Sequence, residues 1–151
     1  MKQLFTTVIA LFVGMAVMAQ SKTKVSWTYS SKKIADKKYE LRLTATIQNG
    51  WHLYSQNLDK DAIALPTTVK FNKNPLLLMQ GKVKESGKMI AEFDNATQSK
   101  SKYYKDKVEF VQVVTLKTKA KTSVSGEVEF MVCDDKSCLP PSKIPFTIAV
   151  Q

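Results

Sequence analysis

An all-β sandwich is the fold class this sequence predicts, on three observations. Apolar residues recur at every second position in several separate segments. Turn-forming residues divide those segments, and no stretch carries the three-to-four spacing of an amphipathic helix. Seven to nine short strands at roughly even spacing fit two packed sheets, and the immunoglobulin-like arrangement is the most populated version for a domain of this size.

The elements follow in chain order. Leu4 to Met18 is an apolar run behind a single lysine, Lys2, and it ends in Val17-Met18-Ala19, the small-x-small pattern of a secretory signal. The run is short of the roughly 20 residues a membrane span needs. Residues 1–19 are therefore expected to be a signal peptide and residues 20–151 one exported domain, with no span after cleavage and no cysteine following the run for lipid attachment. Val25, Trp27 and Tyr29 alternate with polar neighbours. Tyr39, Leu41, Leu43, Ala45 and Ile47 make the clearest half-buried strand, closed by the tight-turn pair Asn49-Gly50. Trp51 to Tyr54 opens the next strand, and a short one is expected near Thr67 to Phe71, bracketed by Pro66 and Pro75. Gln98 to Lys107 is the most polar stretch and reads as a loop between strands. The apolar phase changes within Val108 to Leu116, which predicts a strand buried on both faces or carrying a bulge. Val124, Val128, Phe130 and Val132 form another alternating set, and Ile144, Phe146, Ile148 and Val150 form the last.

Charge excludes one class of function. The chain carries 23 Lys+Arg against 13 Asp+Glu, a formal +10 that becomes +9 once Lys2 is removed with the signal. Nearly all the bases are lysines, dispersed along the chain, and Arg42 is the only arginine. Nucleic-acid readers depend on arginine's planar fork, so no nucleic-acid partner is expected. A solvated lysine surface that blunts sheet edges is the better reading, with weak attraction to acidic partners left open.

The informative segment is Phe130-Met131-Val132-Cys133-Asp134-Asp135-Lys136-Ser137-Cys138-Leu139-Pro140-Pro141. In an oxidising compartment its two cysteines are expected to pair. One reading is a structural staple, but closing so small a ring contributes only about 2 kcal/mol, and a sandwich with this much core hardly needs it. If Val128, Phe130 and Val132 face the core, Cys133 falls on the side of Glu127 and Glu129, away from the deep interior. Asp134 and Asp135 disfavour a thiolate beside them. Leu139-Pro140-Pro141 holds the chain extended after Cys138.

The Cys-Asp-Asp-x-x-Cys-Leu-Pro-Pro segment with a closing strand containing Phe146 resembles the amino-terminal periplasmic domain of DsbD, the bacterial thiol:disulfide interchange reductase. Asn49-Gly50-Trp51-His52-Leu53-Tyr54-Ser55 is similar to the Gly-aromatic-x-x-Tyr segment of that family, and the two motifs frame nearly the whole domain. The likeness is strongest to the standalone Bacteroidetes-type form. It implies an immunoglobulin-like fold whose Cys133 and Cys138 are the catalytic pair, carrying electrons from a membrane thiol reductase to periplasmic thioredoxin-like proteins. It assigns the mixed disulfide with partners to Cys138 and the resolving role to Cys133, by thiol-disulfide exchange. It also implies a cap over the cysteines, for which Phe93 in Ala91-Glu92-Phe93-Asp94 is the candidate. Better-known members have one more residue between the cysteines. Here the electron donor is expected to be a separate membrane protein.

The remaining candidates are single residues. His52 reads as lining the cysteine site beside Tyr54 rather than as an acid-base catalyst. Zinc would need His52, Cys133 and Cys138 to converge with an acid, and no ligand spacing supports it, so no metal and no cofactor are expected. Trp27 and Trp51 read as core or site-wall aromatics, and Asn95-Ala96-Thr97 as a chance sequon. The chain is expected to act as a monomer. Two functions remain from the sequence: a thiol-disulfide exchange domain, and a non-enzymatic immunoglobulin-like binding module whose disulfide is structural.

Overall fold

Alternation along the chain becomes alternation in space. In the computed structural model, which describes residues 24–151, nine strands run β1 Val25–Ala35, β2 Lys38–Ile47, β3 His52–Tyr54, β4 Thr68–Phe71, β5 Leu77–Asp94, β6 Ser99–Leu116, β7 Thr122–Phe130, β8 Val132–Cys133 and β9 Ser142–Val150. The expected signal peptide lies outside the described residues. Among the described residues no helix is long and apolar enough to cross a membrane. The larger sheet has the order β1-β2-β6-β3-β8, with β5 paired to β6, and the smaller has the order β4-β7-β9. All named pairings are antiparallel.

In β2, Tyr39, Leu41, Leu43, Ala45 and Ile47 are all buried, as the period of two requires. On its other face Arg42 sits between Glu40 and Glu109, bonded to both. Gly50 takes φ +83° after β2, a conformation open to glycine at little cost. The main core joins these β2 residues to Phe110, Val114, Val128, Phe130, Phe146 and Ile148. Trp27 packs tilted against Phe110 and Phe130, with ring centroids 5.8 and 5.3 Å away, and Trp51 lies against the same core. Where β4 crosses β7, a Cβ on Gly126 would lie 2.1 Å from the Lys70 carbonyl oxygen and 2.6 Å from Phe146 Cζ. Only glycine fits there.

Two expectations are corrected. The polar stretch after Gln98 is not a loop, because β6 begins at Ser99 and continues unbroken to Leu116. Ser101 and Tyr103 face inward there, and a serine in a buried slot hides the alternation from a sequence reading. The later half of β6 has one phase throughout. Val108, Phe110, Gln112, Val114 and Leu116 are buried, and the apparent phase change is Gln112, a polar residue in the inward set. Its amide nitrogen donates to the Gln80 and Val113 carbonyls, which offsets the burial of a polar group. The pairing of β5 with β6 is irregular twice, with the extra residues in β5 between Gln80 and Lys84 and in β6 between Tyr104 and Val108, opposite Gly87 to Met89.

At the second irregularity β6 also changes neighbours. Its pairing with β2 ends at Thr46 and Lys107, and its pairing with β3 joins Leu53 to Tyr104 and Tyr54 to Tyr103. Asp106, between the two, has φ +65°. The outer half of the β5–β6 hairpin is thereby carried across to the end of the sandwich where β3 and β8 meet.

Candidate functional site

Strand β3 is three residues long and buried on both faces. Leu53 joins the main core, whereas Tyr54 enters a second, smaller cluster with Ala64, Tyr103 and Cys133. On its free side β3 receives β8, with His52 opposite Cys133 and Leu53 opposite Val132. β7 ends at Phe130 in the small sheet, and β8 resumes at Val132 in the large one. Alternation across this crossing still sets Val132 and Cys133 on opposite sides, as expected. The side that Cys133 faces is not solvent, however. Tyr54, Tyr103 and Ala64 cover it, and Cys133 is fully buried. A second layer at the sheet end reverses the expectation drawn from strand phase.

Cys133 and Cys138 are joined in a disulfide. The intervening residues form a tight turn in which the Asp134 carboxylate accepts from the Lys136 and Ser137 amides at 2.9 and 2.7 Å. Those bonds lower its pKa. The Leu139 amide donates to the Val132 carbonyl at 2.9 Å, returning the chain beside β8. The two cysteines differ sharply: Cys133 is fully buried and Cys138 is an exposed residue.

Three side chains meet at the buried sulfur. The Tyr54 hydroxyl lies 3.1 Å from Cys133 Sγ and donates to the Asp94 carboxylate. His52 Nε2 is 3.2 Å from that hydroxyl and 3.3 Å from Asp94 Oδ2. The ring of His52 packs on Tyr103 at 4.3 Å. Asp94 ends β5, and its other oxygen accepts from the Ala96 amide at 2.9 Å, which ties the hairpin tip to the site.

Burial sets the protonation of this group. Desolvation lowers the pKa of His52 despite the opposing pull of Asp94, so the ring is neutral near pH 7. Burial alone would raise Asp94, but donation from Tyr54, the Ala96 amide and His52 holds its pKa below the usual carboxylate range. Tyr54 is pushed well above the ordinary phenol value by burial and by its bond to Asp94. At neutral pH the cluster is a neutral imidazole, an intact phenol and a carboxylate. The side-chain hydrogen-bond donor within reach of sulfur is the Tyr54 hydroxyl.

The structure places His52 and Tyr54 at the cysteines. Phe93 is 55% exposed, and it lines a cavity of about 230 Å³ with Asp59, Glu92, Lys100 and Lys102. The side chain that this tip brings to the Tyr54 hydroxyl and His52 is the next residue, Asp94. Sequence reading missed Asp94 and Tyr103. Strand alternation from a buried Tyr103 gives the inward face of β6, but pairing across the hairpin is needed to carry it to Asp94. Among the described residues no group of three or more His, Cys, Asp or Glu is arranged to hold a metal ion.

Comparison with family models assigns the chain to one family. Residues 19–149 match the family described as thiol:disulfide interchange protein DsbD, N-terminal. No curated protein sequence matches the chain. The solved N-terminal periplasmic domain of ScsB from Proteus mirabilis superposes with a TM-score of 0.52 at 10% identity, over 82% of this chain and 44% of that one. This shows a common fold. The reduced DsbD N-terminal domain of Neisseria meningitidis gives a TM-score of 0.48 at 15% identity, over 82% and 85% of the two chains. A complex of the DsbD and PilB N-terminal domains from the same organism gives 0.43 at 15% identity, over 80% of each.

Proposed function

The chain belongs to the family of N-terminal domains of the thiol:disulfide interchange protein DsbD, and from that premise we propose that it relays electrons in the periplasm through Cys133 and Cys138. A membrane thiol reductase is the donor and thioredoxin-like proteins are the acceptors. Export by cleavage after Ala19 delivers the domain to that compartment.

One observation carries this reading: of the two disulfide-bonded cysteines, Cys138 is exposed and Cys133 fully buried. An incoming partner thiolate reaches Cys138 Sγ and forms an intermolecular disulfide there. The bond between Cys133 and Cys138 breaks, and its electron pair leaves on Cys133. That buried sulfur becomes a thiolate 3.1 Å from the Tyr54 hydroxyl, the group placed to donate to it. The partner's second thiol then attacks its own sulfur in the mixed bond and departs as a disulfide, leaving Cys138 as a thiolate and then a thiol. The domain is reduced by two electrons and takes up two protons. Discharge runs the steps backwards, with Cys138 attacking the acceptor's disulfide and Cys133 resolving the mixed bond.

The main core contains neither cysteine, which supports a working pair over a staple. The test is a Cys133→Ser variant mixed with an oxidised thioredoxin-fold protein. A mixed disulfide through Cys138 is expected, and Cys138→Ser should trap nothing. If neither variant captures a partner, or if Cys133 is the sulfur captured, the relay fails.

A further inference from the structure

The lysines that look dispersed along the sequence are gathered by the fold. The β1–β2 hairpin carries Lys32, Lys33, Lys37 and Lys38 at one end of the sandwich. Two backbone bonds hold the neighbouring loops against it. The Leu116 amide donates to the Lys37 carbonyl at 2.7 Å, and the Lys117 amide to the Leu76 carbonyl at 2.9 Å. The β6–β7 turn adds Lys117, Lys119 and Lys121, and the β4–β5 loop adds Lys73, locked alongside by Asn74 Nδ2 donating to Thr122 Oγ1 at 3.0 Å. Eight lysines therefore share one pole, and all but the half-buried Lys37 are exposed. The acids on these elements are Asp36 and Glu40, and Glu40 is held by Arg42. Among the described residues none of the eight lies in an ion pair with a carboxylate; the lysines that do are Lys70, Lys102, Lys107 and Lys143.

Two large apolar side chains stand exposed in the same region. Ile34 is 46% exposed within the lysine hairpin, and Leu78 is 52% exposed where β5 pairs with Thr115, itself opposite Lys38. Lysines that only protect sheet edges would be strung along the outer strands. Lys32 and Lys33 do lie on the outer strand β1 and Lys38 opens β2, but the other five are on the turns that abut them, all gathered at the end away from the cysteines. The length of β2, ten residues at about 3.3 Å each, separates the two ends by roughly 30 Å.

We propose that this pole docks on an anionic phospholipid surface. Lysines on flexible stems, without arginine forks or a shaped pocket, suit the smeared negative charge of lipid headgroups better than carboxylates fixed on a protein. Ile34 and Leu78 supply apolar contact at the headgroup boundary. Docked this way, the domain turns Cys138 away from the bilayer toward soluble partners.

The test is flotation of the 20–151 chain with phosphatidylcholine vesicles containing or lacking phosphatidylglycerol. At low salt the bound fraction on anionic vesicles should exceed that on neutral ones by roughly tenfold and should collapse near 0.5 M salt, where screening is complete within a few ångström. The variant Lys32→Glu/Lys33→Glu/Lys117→Glu/Lys119→Glu should lose this binding. Lys60→Glu/Lys84→Glu/Lys88→Glu/Lys100→Glu, with the same change in net charge, should keep most of it. Both should reduce with dithiothreitol at the parent rate, which shows an intact fold. Ile34→Ser should weaken binding a few-fold. Equal binding to neutral vesicles, or equal loss in the two quadruple variants, overturns the proposal. So does failure to bind anionic vesicles, which would point to an acidic protein surface instead.

Discussion

Replacing Tyr54 by Phe removes one oxygen atom from the point where the site's buried groups converge. The ring is fully buried, so the substitution keeps the packing and deletes only the polar contacts. Asp94 then loses one of its three donors and keeps the Ala96 amide and His52. A hydrogen bond to a buried charge is worth about 1.5–3 kcal/mol. With two donors left, a loss of about 2 kcal/mol is expected, or roughly 6–10 °C in melting temperature for a domain of this size. Exchange should suffer separately. The hydroxyl is the donor nearest the sulfur that leaves as a thiolate, and losing about 1.4–2.8 kcal/mol of that stabilisation slows reduction by roughly 10- to 100-fold. The assay is the rate of reduction by dithiothreitol at fixed pH, followed by alkylation and mass shift, beside a denaturant titration. Tyr103→Phe is the control, since the Tyr103 hydroxyl donates to Glu92 rather than to sulfur. A Tyr54→Phe protein that is destabilised but reduced at the parent rate would show that the hydroxyl only supports Asp94, and the mechanism above would be wrong.

Three further outcomes follow from the same geometry. Reduction, or Cys133→Ser with Cys138→Ser, should cost only about 2 kcal/mol because the ring is so small, and circular dichroism should show the sandwich intact; unfolding on reduction would restore the staple reading. His52 has a folded pKa below its unfolded value of about 6.5, so the unfolded chain binds the extra proton and stability must fall as pH drops through that window, by at most about 1.4 kcal/mol per pH unit. His52→Gln should flatten the slope between about pH 6.5 and the lower folded value, while a separate loss persists below about pH 4, where the unfolded chain's aspartate takes up a proton before the folded Asp94 does; an unchanged slope near pH 6 would remove His52 as its source. Gly126→Ala forces a methyl against the Lys70 carbonyl, and overpacking of backbone should cost about 3 kcal/mol or more, measured by denaturant midpoint; a neutral result would mean that β4 can shift away from β7.

Particular residues show how far a sequence reading reaches. Tyr39 to Ile47 declares its strand because both faces obey the rule. Val108 to Leu116 obeys it equally, but Gln112 in the buried set made one strand look like two phases. The stretch after Gln98 looked like a loop because a serine fills an inward slot and lysines fill the outward ones, so no apolar period was left to count. Cys133 was set on the correct side of Val132, yet that side is covered by residues from β3, β6 and the loop holding Ala64. The family resemblance found the cysteine pair and the His52 to Tyr54 segment. It directed attention to Phe93, next in sequence to the carboxylate that bonds the Tyr54 hydroxyl.

The sequence by itself determined the all-β class, most of the strands and the cysteine pair that forms the disulfide, because a strand's period and a five-residue cysteine separation are local properties of the chain. Only the tertiary structure decided which sulfur is hidden, which carboxylate shares a proton with Tyr54 and where the lysines gather. Asp94 is 40 residues from Tyr54, and Lys37 meets the β6–β7 turn almost 80 positions later. Such meetings are set by the register of paired strands and by the crossing between sheets after β7. Those depend on contacts summed over the whole core, which no short window of sequence contains.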